Sequence, residues 1–585
     1  MRSWWRLFPA AVARRNDEEE GVALAPPSPA PVCREEEDDD PAGAAAVERS
    51  RPHRPTTKGL RRPQSPSSSA ANNRARMLLT PTRGAVVGLV LAGLALLALV
   101  GTATGCCGGS SSSVRHGDHP RRARPRGIPI PFSCGATNGN ATSPTCRRAG
   151  SPSSSPSSSP VASPPSSSSD PAPAAPTCPD YFRHIHSDLS PWRESGGITR
   201  EAVERGRGLA DFRLVVVGGR AYVEKLQQPF QTRDVFTQWG ILQLLARYPG
   251  RVPELDLMFK CGDMPVVRAA DYLAGDDPPP PPPVFHYCKD DATLDILFPD
   301  WSFWGWPEVN IRPWAAHLDD VARENRRLPW PDREPYAYWK GNPDVSPSRA
   351  DLLRCNATAA GDEEEDWNAR LFRQDWSVAM SDGFKGSDLA KQCTYRYKIY
   401  VEGRSWSVSD KYILACDSPV LLVDTPYRDF FSRGLVAGEH YWPIDAKRKC
   451  PSIKLAVDWG NAHPARARRM GGEGSGFARE ELAMENVYDY MLHVLTEYAR
   501  LLRYKPTVPE KAVELCLESM ACPTDGRVRE FMMESRERYV AGYEPCTLPP
   551  PFTADELKEM ARREDDVRSK IRKMEERGDW KADNC

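Results

Sequence analysis

The chain has almost no excess of either charge. Its 78 Lys and Arg face 79 Asp and Glu over 585 residues, for a net charge of −1. A nucleic-acid binder with a basic face, or a polyanionic tail, is therefore not indicated. No Walker loop is present, no G-x-G-x-x-G follows a strand, and no C-x-x-C occurs. No Asp-x-Asp-like metal motif stands where a site would need one. Asp290-Asp291, Asp319-Asp320 and Asp382 sit in polar loop or helix contexts. No metal or redox cofactor is expected on these grounds. Internal repeats are absent as well.

Proline is abundant, 56 residues, but unevenly spread. Residues 1–83 carry two acidic runs among Pro, Ala and Arg without periodicity, and read as a disordered tail. Residues 84–105, "GAVVGLVLAGLALLALVGTATG", hold no charge. About 20 such residues make ~30 Å of helix, enough to cross a bilayer. A signal peptide starting at Met77 and then cleaved is the alternative; the length of the run and the lack of a clean A-x-A site favour an anchor. Arginines flank the segment on both sides, so charge orients it weakly. Ten cysteines between Cys178 and Cys546, with the glycan acceptor triplets at Asn140 and Asn356, suit an oxidising lumen. The expectation is a single-pass type II protein of the Golgi or endoplasmic reticulum. Residues 106–177, rich in Ser and Pro, read as a luminal stem. The run Pro278 to Pro283 reads as a surface polyproline loop.

From Cys178 onward the pattern is α/β. "LVVVGGRAYV" (214–223) is a hairpin signal. In "RDVFTQWGILQLLARYPG", Val235, Trp239, Leu242 and Leu245 share a helical face, and Pro249-Gly250 ends the helix. A strand follows over 254–261, and "CGDMP" sets Asp263 just past its carboxyl end. Turn chemistry alone explains an aspartate there. Yet carboxyl ends of strands are where α/β sheets hold ligands.

A second strand, "PYAYWKG" (335–341), leads to Ser346-Pro347, a cap and first residue for a helix. Arg349 falls in that helix's first turn, an unfavourable place for a cation unless an anion sits in front of it. "CTYRYKIYVEG" (393–403), a short helix over 408–415 with Ser407 and Asp410 in a capping-box pattern, and the strand "PVLLVD" (419–424) form a βαβ unit. Its cap region is a candidate diphosphate cradle. "FAREELAMENVYDYMLHVLTEYARLL" reads as one long amphipathic helix, and 554–577 as a charged helix or frayed tail.

The stretches "FQTRDVFTQWGILQLLARYPGRVPELDLMFKCGDMPVV", "ILFPDWSFWGWPEVNIRPW", "YAYWKGNPDVSPSRADLL" and "KIYVEGRSWSVSDKYILACDSPVLLVD" resemble the Rumi-type protein O-glucosyltransferases. These are capsule-associated, family 90 glycosyltransferases, and the likeness is nearest the plant branch. It covers roughly Cys178 to Tyr504. The resemblance implies a GT-B fold with two Rossmann-like domains and the active site in the cleft between them: an acceptor-side domain (178–330), a UDP-sugar domain (331–505) and a C-terminal helical tail (506–585). It implies metal-free, inverting transfer of glucose or xylose from a UDP-sugar to a luminal protein or polysaccharide hydroxyl.

By the same resemblance, Asp263 matches the family's catalytic base. Arg349, Arg404, Trp406, Ser407, Ser409 and Lys411 match its donor side, with Arg312 where animal members place a donor-contacting Tyr. Thr232 and Arg233 match the acceptor side, and Cys393 and Cys416 a family disulfide. Ser409 departs from the Arg of animal members, and Lys411 is expected to supply the missing charge. A non-catalytic sugar-binding scaffold is the competing reading; the joint presence of Asp263, Arg349 and Ser407 argues against it. A glycosidase is disfavoured because no second carboxylate pairs with Asp263.

Overall fold

The computed structural model describes residues 126–135, 146, 175–272, 279–356 and 366–577. The expected tail, the 84–105 anchor, the Asn140 acceptor site and most of the stem lie outside the described residues. Among the described residues, no helix is long and apolar enough to cross a membrane.

Two short strands, β1 (Arg126–Pro129) and β13 (Tyr539–Ala541), pair antiparallel. The larger sheets carry the architecture. The first contains β2 (Phe212–Val217), β3 (Arg220–Lys225), β4 (Leu255–Phe259), β5 (Val284–His286), β6 (Ile296–Leu297) and β12 (Val513–Leu515), in the order β12-β3-β2-β4-β5-β6. Its β2–β3 hairpin turns on Gly218 and Gly219, both at positive φ, the backbone that a two-residue hairpin turn demands. Only β4, β5 and β6 run parallel; β2 meets β4 antiparallel.

The second sheet is wholly parallel. Its strands are β7 (Glu334–Gly341), β8 (Ala369–Arg373), β9 (Tyr395–Tyr400), β10 (Val420–Val423) and β11 (Tyr441–Ile444). Their order, β8-β7-β9-β10-β11, is the doubly wound 2-1-3-4-5 arrangement. The order reverses between β7 and β9. Ligands in such sheets lie outside the carboxyl ends of the strands at that reversal. The loops that leave β7 and β9 are 342–346 and 401–409.

Three expectations are corrected. The long amphipathic run is two helices, Pro464–Glu480 and Met484–Leu501. At the break, Tyr181 donates to the Glu481 carbonyl at 2.9 Å and the Trp314 indole to that of Leu482 at 2.8 Å. Side chains distant in sequence thus satisfy the carbonyls that the helix releases. The polyproline run is only partly a surface loop: Pro279 is exposed, but Pro281 to Pro283 are buried, and the Trp192 indole holds the Pro281 carbonyl at 2.8 Å.

The segment after 505 is not a tail. β12 extends the first sheet along β3. Disulfides Cys134–Cys522, Cys146–Cys516 and Cys178–Cys546 tie this segment to the amino-terminal side of the fold. The helix Ala554–Arg577 then reaches the second sheet's core, burying Ile571 there. Cys355–Cys450 and the expected Cys393–Cys416 are the other bridges among the described residues, where Cys261 and Cys288 are free and buried.

Candidate active site

Asp263 lies four residues past β4, with its side chain 41% exposed. Arg233, at the start of the Arg233–Arg247 helix, donates Nη1 to its Oδ1 at 2.8 Å. The same guanidinium is 4.4 Å above the Trp301 ring and is itself nearly buried. A desolvated cation thus holds one carboxylate oxygen, while the group keeps a solvent face. Downstream, the Asp295 carboxylate accepts from the backbone N–H groups of Val266 and Val267 at 3.0 and 2.9 Å. Pro265 and this clamp make the stretch after Asp263 stiff.

At the reversal of the second sheet, Ser346 caps the helix Pro347–Leu352 by accepting from the Arg349 N–H at 3.3 Å. The Arg349 side chain turns back over the loops. It donates to the Glu402 carbonyl at 2.8 Å, the Asn342 carbonyl at 3.3 Å and Ser407 Oγ at 3.1 Å. Ser407 Oγ is in turn 2.8 Å from Ser409 Oγ. Burial lowers the Arg349 pKa, against the pull of Tyr400, Glu402 and Asp263. Gly403 makes the close approach possible. A Cβ there would stand 2.9 Å from the Trp406 carbonyl oxygen and 3.5 Å from the Arg349 guanidinium.

The loop between β9 and the next helix is anchored by Trp406, whose ring lies against His286, Tyr287 and Trp301 of the first sheet's side. Arg404 is exposed and makes no hydrogen bond or ion pair with the described residues. It is the free cation of the loop. Thr232 is engaged by the Glu308 carboxylate through its N–H at 2.9 Å and its hydroxyl at 3.1 Å.

Three expectations about this region change. Ser407 does not cap the following helix, which spans Asp410–Leu414 with Ser409 at its cap position and no side-chain cap bond. Ser407 accepts from Arg349 instead. Lys411 has no exposed surface, and its Nζ is 2.8 Å from the Asp300 carboxylate. Burial opposes its charge, but Asp300, Tyr412 and Asp410 outweigh that and hold the ammonium above its ordinary pKa. It therefore does not present a charge in place of the arginine absent at Ser409. Arg312 is likewise engaged, by Asp320 at 2.5 Å and by Glu534.

A cavity of about 1520 Å³ lies behind the loop, walled by Tyr400, Trp406, Asp410, Asp429 and Arg568 among others, but not by Asp263 or Arg349. Burial, and then Asp429, pushes the Asp410 carboxyl well up. Among the described residues, the one cluster of metal-ligand types is Cys178, His493 and Cys546. Its two cysteines are joined in a disulfide.

Residues 173–575 match the model of Glycosyl transferase family 90, and the chain belongs to that family. Within it, the chain is similar to Protein O-glucosyltransferase 1 of Bos taurus, 26% identical over 350 residues, which are 57% of this chain and 83% of that relative. Protein O-glucosyltransferase 1 of Homo sapiens is 26% identical, over 56% of this chain and 82% of the relative. O-glucosyltransferase rumi of Drosophila melanogaster is 24% identical, over 58% and 80%. The chain is thus a Rumi-like glycosyltransferase of mixed α/β fold.

Proposed function

We propose that the chain transfers a sugar, glucose or xylose, from a UDP-sugar to a hydroxyl of a luminal protein or polysaccharide, with inversion and without a metal. In this reading the two sheets are the two halves of a GT-B fold, and the cleft between them is the active site. Asp263 takes the acceptor hydroxyl's proton as that oxygen attacks the anomeric carbon; the bond to UDP breaks, and UDP leaves with its electron pair. Arg349, the loop hydroxyls of Ser407 and Ser409, and Arg404 meet the diphosphate charge. The supporting observation is a solvent-facing carboxylate pinned by Arg233, on a residue tied by Ser405 to the same loop that Arg349 grips through Ser407 at the sheet's reversal point.

Asp263→Asn keeps the shape and removes the base. Turnover should fall by about 10²-fold or more while UDP still binds, on the usual scale for general-base loss. Near-normal turnover in that variant would remove Asp263 from the mechanism and favour a base elsewhere.

We further propose that residues 84–105 anchor the chain in the Golgi or endoplasmic reticulum membrane with the body luminal. Asn356 supports this placement, being exposed. Its Oδ1 accepts from the Leu371 N–H at 2.8 Å, which leaves Nδ2 to carry a glycan. Endoglycosidase should shift the protein on a gel, and alkaline carbonate should leave it in the membrane fraction; release would point to a cleaved leader.

A further inference from the structure

We infer that Ser405, a residue of the loop leaving β9, is a positioning residue for the Asp263 carboxylate and couples the anion-holding loop to the base. The inference rests on the proposed transfer reaction and extends it to a residue whose side chain has no exposed surface.

β4 ends at Phe259, so no sheet ladder fixes the peptide of Asp263. Its carbonyl oxygen is held by side chains instead. Ser405 Oγ donates to it at 2.5 Å, across 142 residues of sequence. Cys288 Sγ, from the segment after β5, donates to the same oxygen at 3.4 Å and stands 3.4 Å from Ser405 Oγ. Ser405 has no exposed surface and Cys288 is buried. The thiol is a weak donor, so the hydroxyl supplies most of the restraint.

The other end of the link is short and stiff. Ser407, two residues on, accepts from Arg349 at 3.1 Å, and its N–H donates to the Tyr400 hydroxyl at 3.1 Å. Trp406 between them is packed into the first sheet's aromatic cluster. Any shift of this loop as a diphosphate settles on Arg349 and the serines is therefore passed to the Asp263 peptide. Arg233 fixes the carboxylate from one side and Ser405 the main chain from the other. A hydroxyl that only satisfied a buried carbonyl would contribute to stability and leave the chemistry alone.

The test compares wild type, Ser405→Ala and Ser405→Cys as the full-length chain in detergent. The readouts are UDP release from a panel of UDP-sugars, UDP calorimetry and thermal melts. Expected for Ser405→Ala is a kcat about 10- to 100-fold lower, the scale of a misplaced reacting group, with donor KM and UDP affinity unchanged. Ser405→Cys, which keeps a weak donor of similar size, should recover part of the loss; if the alanine variant shows no folding transition, a lowered kcat in the folded cysteine variant carries the test. A Ser405→Ala enzyme as fast as wild type overturns the coupling and leaves the transfer reading standing. A fall in kcat matched by lost UDP affinity overturns it too, by making Ser405 a donor ligand. A wild type inert with every UDP-sugar defeats the transfer reading itself, and the coupling with it.

Discussion

Lys411 and Asp300 form an ion pair of 2.8 Å in which neither side chain reaches solvent appreciably. Asp300 caps the turn Trp301–Phe303 after β6, and Lys411 lies in the Asp410–Leu414 helix after β9. The pair therefore joins the two sheets' loops directly beside the candidate active site. Its surroundings are acidic, with Asp429 buried and Asp410 half-buried nearby. The Lys411 ammonium favours the charged forms of both carboxyls against burial, and it ties the two loops together.

Lys411→Ala is expected to destabilise the protein by about 3–5 kcal/mol, the cost of leaving a buried charge without its partner. Lys411→Met with Asp300→Leu should be milder than the sum of the two single changes, because residues in contact do not add. Thermal melts of Lys411→Ala, Lys411→Met, Asp300→Leu and the double variant check this. A Lys411→Ala protein that melts with wild type but loses UDP affinity would restore the lysine to the donor site.

Arg349→Ala should weaken UDP binding roughly 10- to 150-fold, equivalent to the loss of a charge-assisted contact of about 1.5–3 kcal/mol. The melting temperature should fall as well, since the carbonyls of Glu402 and Asn342 lose their donor. Transfer should survive exhaustive EDTA. Loss of transfer under EDTA with recovery on adding manganese would show that arginine and hydroxyls do not meet the diphosphate charge alone.

The features legible in the sequence were local ones. The β2–β3 hairpin follows from Gly218-Gly219, the Ser346 cap from Ser-Pro, and the β9–β10 unit from two apolar runs around a short helix. Asp263 and Arg349 stood out because strand ends and helix starts are readable from periodicity and turn chemistry. What could not be read was pairing across distance. Lys411 looks like a cation beside a helix start until Asp300, 111 residues earlier, closes on it. Ser405 carries no signal in its own segment, because its partner is a main-chain carbonyl 142 residues away. The Cys134–Cys522 bridge and the return of β12 to the first sheet belong to the same class.

Lys398, on β9, gives a prediction about pH. Its Nζ is buried, donates to the Gln392 carbonyl at 2.8 Å and lies 4.1 Å from the Tyr338 ring centroid. Burial, with Arg333 adding to it, lowers its pKa from 10.5 to about 7. The unfolded chain keeps this proton up to its ordinary value, whereas the folded chain gives it up near 7. In that window the unfolded state binds more protons, so stability rises with pH, and the whole deficit is present below about 7. Lys398→Met removes the group that titrates and fills similar space. It should melt ~2–4 °C higher than wild type at about pH 6, with the advantage shrinking toward about pH 9. Calorimetric melts of both proteins across that range measure it. Curves that stay parallel would mean that Lys398 keeps its ordinary pKa in the fold, its charge being met by the Gln392 carbonyl and the Tyr338 ring.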